Sequence, residues 1–345
     1  YSRDLPRATA SNWSNNLFYL IRRIPAALLV VLCCQLVRVP ASADIQHELV
    51  DLTESLLLGG NGYLHGGGQI YQPALIEDFY AGNNYQPAWQ SREQAHLVLE
   101  LLRDSIRDGL NPDDYHYSEL MDLWSRRDEA LEQRDRPRAR FDVLLTDSFV
   151  LYIRHLLEGK VDPRILDPTF NYARRDFEPA TVAANLRKVI AEDRVAAIAE
   201  QARPDSPFYH QMKAALAHYR VLAMDPFRTI PADVVLKPGQ THANVLPLRK
   251  RLQELAYLED ESVYSREYDS ELVAAVKQFQ LDHGIDVDGV VGAQSYAFLN
   301  MSWQNRIDSL RVNMDRVRWI YQDVSDDAIV VNIAGFELYY LRDDE

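Results

Sequence analysis

Cys33 and Cys34 are the only thiols in this chain, and no cysteine follows them through Glu345. A thiol nucleophile needs a lowered pKa and a base beside it. These two instead lie in an apolar run from Ile24 to Val37. As sequence neighbours their Cα atoms are about 3.8 Å apart, short of the usual disulfide span. The nine histidines give no metal pattern. His210 and His218 could share one helix side, but no HExxH or matched carboxylate pair accompanies them. Asp286 and Asp288 lack the glycine and distal glutamate of an EF-hand loop and read as turn formers. Glu259, Asp260 and Glu261 read as a solvated loop. The glycines from Gly59 to Gly68 are followed by Gln69, Tyr71, Gln72 and Pro73 rather than by a helix start, so they read as a flexible loop and not a phosphate cradle. No metal and no cofactor is expected.

The elements around these residues begin with a leader. Arg3, Arg7, Arg22 and Arg23 precede the apolar run, and Ala41-Ser42-Ala43 follows it. That is the order of an export signal over residues 1–43, with cleavage expected before Asp44. The run is short for a membrane span, so membrane contact is expected only through an uncleaved signal. A net charge of −14 argues against nucleic acid, whose phosphates need a basic surface. Export without cysteine in the mature chain predicts a folded bacterial envelope protein.

Helical periodicity dominates the next stretch. Ser91 with Gln94 predicts a capping box, and Val98, Leu101, Leu102 and Ile106 line one face until Asp108-Gly109-Leu110-Asn111-Pro112 stops the helix. Phe141, Leu144, Leu145, Ser148 and Tyr152 form a second stripe, ended by Gly159 and Asp162-Pro163. Tyr209, Met212, Leu216 and Tyr219 form a third, opened by Asp205. Asp225 to His242, with three prolines and no sustained period, predicts a linker.

Beyond it, Leu248, Leu252 and Leu255 mark a helix. Asp269 caps another with the stripe Leu272, Val276 and Phe279, and Glu271 in its first turn suits the dipole. Gly284 predicts a left-handed stop, Asp288-Gly289 a tight turn, and Gly292 a close start for a short helix through Tyr296 and Leu299. The run Phe279-Gln280…Gly284-Ile285…Asp288-Gly289…Gly292 resembles the small three-helix peptidoglycan-binding domain of cell-wall enzymes, with Ser295 where threonine is common. Most of its recognisable residues specify its own core. The polar residues near its second turn, Gln280, His283, Asp288 and Tyr296, are the candidate ligand contacts.

The flanks resemble a larger family. Phe79-Tyr80, Tyr85-Gln86-Pro87-Ala88-Trp89, Asp108 to Tyr115 and Leu145-Thr146-Asp147 are similar to the helical scaffold domain of large periplasmic murein L,D-transpeptidases. Asn313 to Trp319 resembles the helix that leads into their catalytic domain of the YkuD type, and Val330 to Ile333 with Phe336 to Tyr340 its opening strands. The resemblance implies a mainly α fold. Its expected order is signal 1–43, scaffold 44–224, linker 225–243, binding domain 244–302, connecting helix 303–327 and first strands of a truncated β-rich domain 328–345. In that family a histidine-activated cysteine attacks a stem-peptide carbonyl, and an amine from a second stem resolves the thioester into a cross-link. Its Ser-His-Gly-Cys type of motif does not occur in these 345 residues, so no catalytic residue carries over and the chain alone is expected to be inactive. The resemblance further implies a periplasmic location in a Gram-negative envelope, peptidoglycan as partner, and cell-wall synthases as possible partners. The competing reading is a non-catalytic wall-binding or regulatory adaptor. An amidase or glycosidase sharing the binding module is a third, disfavoured by the scaffold resemblance.

Overall fold

The structure is a computed structural model that describes residues 41–59, 62–64, 68–126, 135–166, 177–259, 264–321, 327–332 and 337–342. Among them the chain is mainly helical, as the sequence predicts. Most of the expected export signal lies outside the described residues.

The first core is built from α1 (Ala41–Gly59), α2 (Pro73–Gly82), α3 (Arg92–Asp104), α4 (Tyr117–Ser125), α5 (Asp135–Glu158), a one-turn α6 (Pro163–Leu166), α7 (Pro179–Ala191) and α8 (Val195–Gln201). At its centre lies α5, in which every residue from Asp142 to Tyr152 is buried. A helix covered all round must sit inside its neighbours, and α1, α2, α3 and α4 all pack on it. The face Leu144, Leu145, Ser148 and Tyr152 is therefore part of a wider buried surface. α1 has no counterpart among the expected helices; it buries Ile45, Leu49, Leu52 and Leu56.

Local chemistry explains the ends, with some departures. Ser91 caps α3 by accepting from the Gln94 amide N–H. The Gln94 side chain does not complete the box; it donates across to Ile190 O at 2.9 Å and Asp193 Oδ1 at 3.0 Å, tying α3 to the end of α7. Ile106 is exposed, because it falls in a 3₁₀ turn over Ser105–Asp108 where the period changes from 3.6 to 3, while Leu99 of α3 joins the core. Gly109, at φ +73°, then ends the turn as expected. Of the glycine-rich segment, residues 60–61 and 65–67 lie outside the described residues; at its described positions Tyr63 bridges Gln69, and Leu64 and the following Ile70 are buried.

α9 (Pro207–Leu222) is opened by Ser206, not Asp205; the Ser206 side chain accepts from Tyr209 N, while Asp205 pairs with His210 at 3.2 Å. The chain then enters a second core of α10 (Val245–Glu254), α11 (Ser270–Asp282) and α12 (Ala293–Leu299). The stretch read as a linker contributes to this core: Ile230 and Leu236 are buried in it, and Leu236 bridges Val291. Proline breaks its periodicity without removing its apolar anchors. Asp269 caps α11 by accepting from Leu272 N at 2.9 Å. Gly284 and Gly289 take the left-handed backbone that their types suggested. Gly292 has a different role from the one expected, since a Cβ there would meet nothing; it serves as an extended N-cap.

α13 (Trp303–Tyr321) returns antiparallel along α9, with Trp303 stacked on Tyr219 and Arg318 reaching Tyr209. Tyr209, Leu216, Ile307 and Met314 make a third small core between the two helices. The helix is described through Tyr321, and residues 322–326 of the expected connecting helix lie outside the described residues. β1 (Asp327–Asn332) and β2 (Glu337–Arg342) form an antiparallel pair with Val330 opposite Tyr339. Ile333 and Phe336 lie outside the described residues.

Candidate functional site

Within the second core, the α11–α12 turn is held by one buried amide. Gln280 Nε2 donates to Asp288 Oδ1 at 3.0 Å, Val290 O at 3.0 Å and Ser295 Oγ at 3.3 Å. Its Oε1 accepts from Gly289 N at 2.8 Å. Tyr268 adds a second strut, donating to Gly289 O at 2.7 Å. Gln280 and Asp288 are thus brought together, but the Gln280 side chain is spent on the turn. Asp288 remains exposed, with hydrogen bonds from Val290 N and Gln280 holding its carboxyl below the usual range. His283 packs against the ring of Phe279, 4.1 Å between centroids, and donates Nδ1–H to Phe279 O at 2.8 Å. Burial lowers its pKa.

Tyr296 stands apart from these three. It lines a cleft of 440 Å³ between residues 232–235 and α12, together with Asp233, Ala293, Ala297 and Asn300. Its hydroxyl donates to Val234 O at 2.9 Å, and burial with the nearby Asp233 carboxylate raises its pKa. Asn300 clamps one wall, accepting from Ile230 N at 2.8 Å and donating to Ile230 O at 3.0 Å. Asn244 braces the same wall from the start of α10, donating to Asp233 Oδ1 at 2.8 Å and Pro231 O at 3.1 Å. The cleft is therefore a rigid, largely apolar slot with one carboxylate at its edge. Sequence reasoning missed Asp233, Ala297 and Asn300. The apolar triplet Val234-Val235-Leu236 inside the proline-rich stretch was the available signal.

The slot is fixed to the first core by a polar junction. Arg251 lies over the rings of Phe227, at 4.1 Å, and Trp303, at 4.8 Å, and donates to Leu299 O and Arg228 O. His218 bonds Glu254 O at 2.8 Å. Farther along α13, Arg311 Nε donates to Gly109 O at 2.9 Å, and Asp315 accepts from Lys160 N at 2.8 Å and Val161 N at 3.2 Å. The buried Asp108 is the hub of this docking. Its carboxylate accepts from Arg203 Nε at 3.0 Å, Lys213 Nζ at 2.9 Å and Tyr209 OH at 3.2 Å, and its main-chain oxygen accepts from Arg318. Burial pushes this carboxyl up, but Arg203 and Lys213 outweigh it and the net shift is downward. Gly159, at φ +78°, leaves room for Trp319; a Cβ there would lie 2.5 Å from Nε1.

Two further buried carboxylates on α5 brace the first core. Asp142 accepts from Tyr80 OH at 2.7 Å, Ala88 N at 2.8 Å and Trp89 N at 3.0 Å. Asp147 accepts from Tyr71 N at 3.2 Å and Gln72 N at 3.3 Å, and burial pushes its pKa up to about 7. Both are engaged by the chain's own donors, and neither opens onto the slot. Among the described residues no group of His, Cys, Asp and Glu could hold a metal ion, and no helix is long and apolar enough to cross a membrane.

Two comparisons fit this division. Residues 74–216 match the family described as Scaffold domain. Residues 241–299 match a family of peptidoglycan binding domains. No curated protein matches the chain. The chain therefore carries a scaffold domain followed by a peptidoglycan-binding domain.

Proposed function

We propose that this chain is the scaffold and peptidoglycan-binding portion of a murein L,D-transpeptidase, exported to the periplasm, whose part is to hold the wall polymer in place. The observation that carries the reading is the return of α13 from the binding module onto the scaffold: the module is docked through Arg251, Arg306 and Trp303, and α13 through Arg311, Asp315 and Arg318. A wall strand bound at the module is then held at one orientation to whatever follows Tyr321. The order of scaffold, module, helix and antiparallel strands supports the family. Acyl transfer in that family needs a thiolate, and this sequence has no cysteine after Cys34.

The 440 Å³ cleft is the proposed contact with the peptidoglycan. It suits an apolar group flanked by a donor such as an amine or amide N–H, which Asp233 would accept. Tyr296 lies within it; Asp288 and His283 are outside its lining, and Gln280 supports the turn. The test is retention of the purified chain by isolated sacculi, compared with Ala297→Trp, which fills the cleft from an exposed position. Retention of the wild-type chain and its loss in the variant are expected. A wild-type chain that sacculi do not retain would sink the reading.

A further inference from the structure

We propose that the scaffold offers a second contact for the same polymer: a platform of Tyr63 and Tyr71, flanked by Gln69 and His116, that takes the apolar face of an N-acetylated sugar. This rests on the reading that the chain engages peptidoglycan and places part of that engagement outside the binding module.

The platform follows from strand alternation. Tyr63 bridges Gln69 in antiparallel register, Leu64 N donates to Gly68 O at 2.9 Å, and Ile70 N donates to Gly62 O. Side chains two apart share a face. Leu64 and Ile70 are accordingly buried, while Tyr63 and Tyr71 are exposed at 54% and 47%. A tyrosine ring covers much apolar area at little entropic cost and carries a polar tip. By strand alternation both rings belong to the same face of a short hairpin, the face opposite Leu64 and Ile70. A pyranose presents a face of C–H bonds that fits such rings, ringed by hydroxyl and acetamido groups that need donors and acceptors. The Gln69 side-chain amide, half-buried on the same face, has both to offer.

Independent features hold this face still. His116 has a left-handed backbone, φ +53°, unusual for a residue with a side chain. That conformation accompanies the position of its ring 5.8 Å from Tyr71 and of its Nε2, which donates to Gln69 O at 2.7 Å. From below, the Asp147 carboxylate holds the Tyr71 and Gln72 amides, at the desolvation cost that its raised pKa records. Gly68, at φ +84°, sits against Leu144 and Glu119, and a Cβ there would lie 3.0 Å from the Leu144 Cδ2. Strained backbone and a costly buried carboxylate concentrated behind exposed rings are the pattern of a preorganised contact.

The experiment uses the full chain and, as probe, a tetramer of β-1,4-linked N-acetylglucosamine, with affinity measured by calorimetry. Tyr63→Ala with Tyr71→Ala removes two half-exposed rings and leaves the core intact, which an unchanged thermal midpoint verifies. Its dissociation constant should rise by about tenfold or more. Tyr71→Phe keeps the ring and should stay within about threefold of wild type. A wild-type chain that ignores the tetramer at millimolar concentration, or a double variant that binds it unchanged, overturns the platform. The two readings separate on sacculi: loss of retention in Ala297→Trp with no effect of the tyrosine changes overturns the platform and keeps the module. No retention of the wild-type chain removes the basis for both.

Discussion

Arg318 donates to the main-chain oxygen of Asp108, although 210 positions separate the two residues, and both are buried. The same guanidinium donates to Tyr209 OH at 2.7 Å, and that hydroxyl in turn donates to the Asp108 carboxylate. Three elements are thereby joined at one point: the 3₁₀ turn after α3, the start of α9 and the end of α13.

Removing the arginine exposes what it holds. Arg318→Met should lower stability by about 3 kcal/mol, since a buried polar network loses one partner and keeps the others. Urea unfolding measures it, and a loss below about 1 kcal/mol would mean the contact is incidental.

Asp108 makes an acid-side prediction. Its folded pKa is depressed, so its contribution is present above the unfolded value of about 3.9 and is lost as pH falls through the folded value. Asp108→Asn should therefore be less stable than wild type at pH 7, with the gap closing under strong acid. A gap that persists unchanged at pH 2 would contradict the assignment.

For Asp147 the sign is opposite. Its folded pKa of about 7 exceeds the unfolded value, so the folded state binds the extra proton between about pH 4 and pH 7. Stability from this group is full below that window and is lost as pH rises through it. Asp147→Asn should match wild type near pH 4 and exceed it at pH 8 by roughly 1–3 kcal/mol. Equal stability at both pH values would show that the Tyr71 and Gln72 amides fully repay the burial.

Gly159 tests the fit of α13. Gly159→Ala forces a Cβ into Trp319 and a left-handed backbone onto alanine, so a loss of about 2 kcal/mol is expected. Tryptophan fluorescence should shift with it. An unperturbed emission spectrum would show that α13 tolerates the intrusion.

The parts of this molecule governed by local rules were legible. The stripes of α3, α5 and α11, the caps at Ser91 and Asp269, and the left-handed Gly109, Gly284 and Gly289 follow from period and residue type. The slot was not legible, because Asp233, Val234 and Ala297 come from opposite sides of the module and the first two lie in a stretch where proline hides the pattern. Asp142 escaped notice and Asp147 entered only through the family resemblance, because a helical stripe counts apolar residues, and both are buried carboxylates satisfied by partners more than 50 positions away. Of the four polar residues singled out, Gln280 shows the difficulty best. A buried amide that braces a turn and an exposed one that meets a ligand have the same sequence signature.

The position of Arg318 also sets an order of assembly. The groups that bond the Asp108 carboxylate, Arg203, Tyr209 and Lys213, precede the binding module in the chain, and Arg318, which bonds its main-chain oxygen, follows it. As the polypeptide emerges, the first core can collapse on α5 and receive α9, but the Arg318 contacts that close this junction must wait until the whole module and most of α13 have been made. Contacts so distant in sequence close late. The interior of the scaffold is thus completed last, by the far side of the domain it supports.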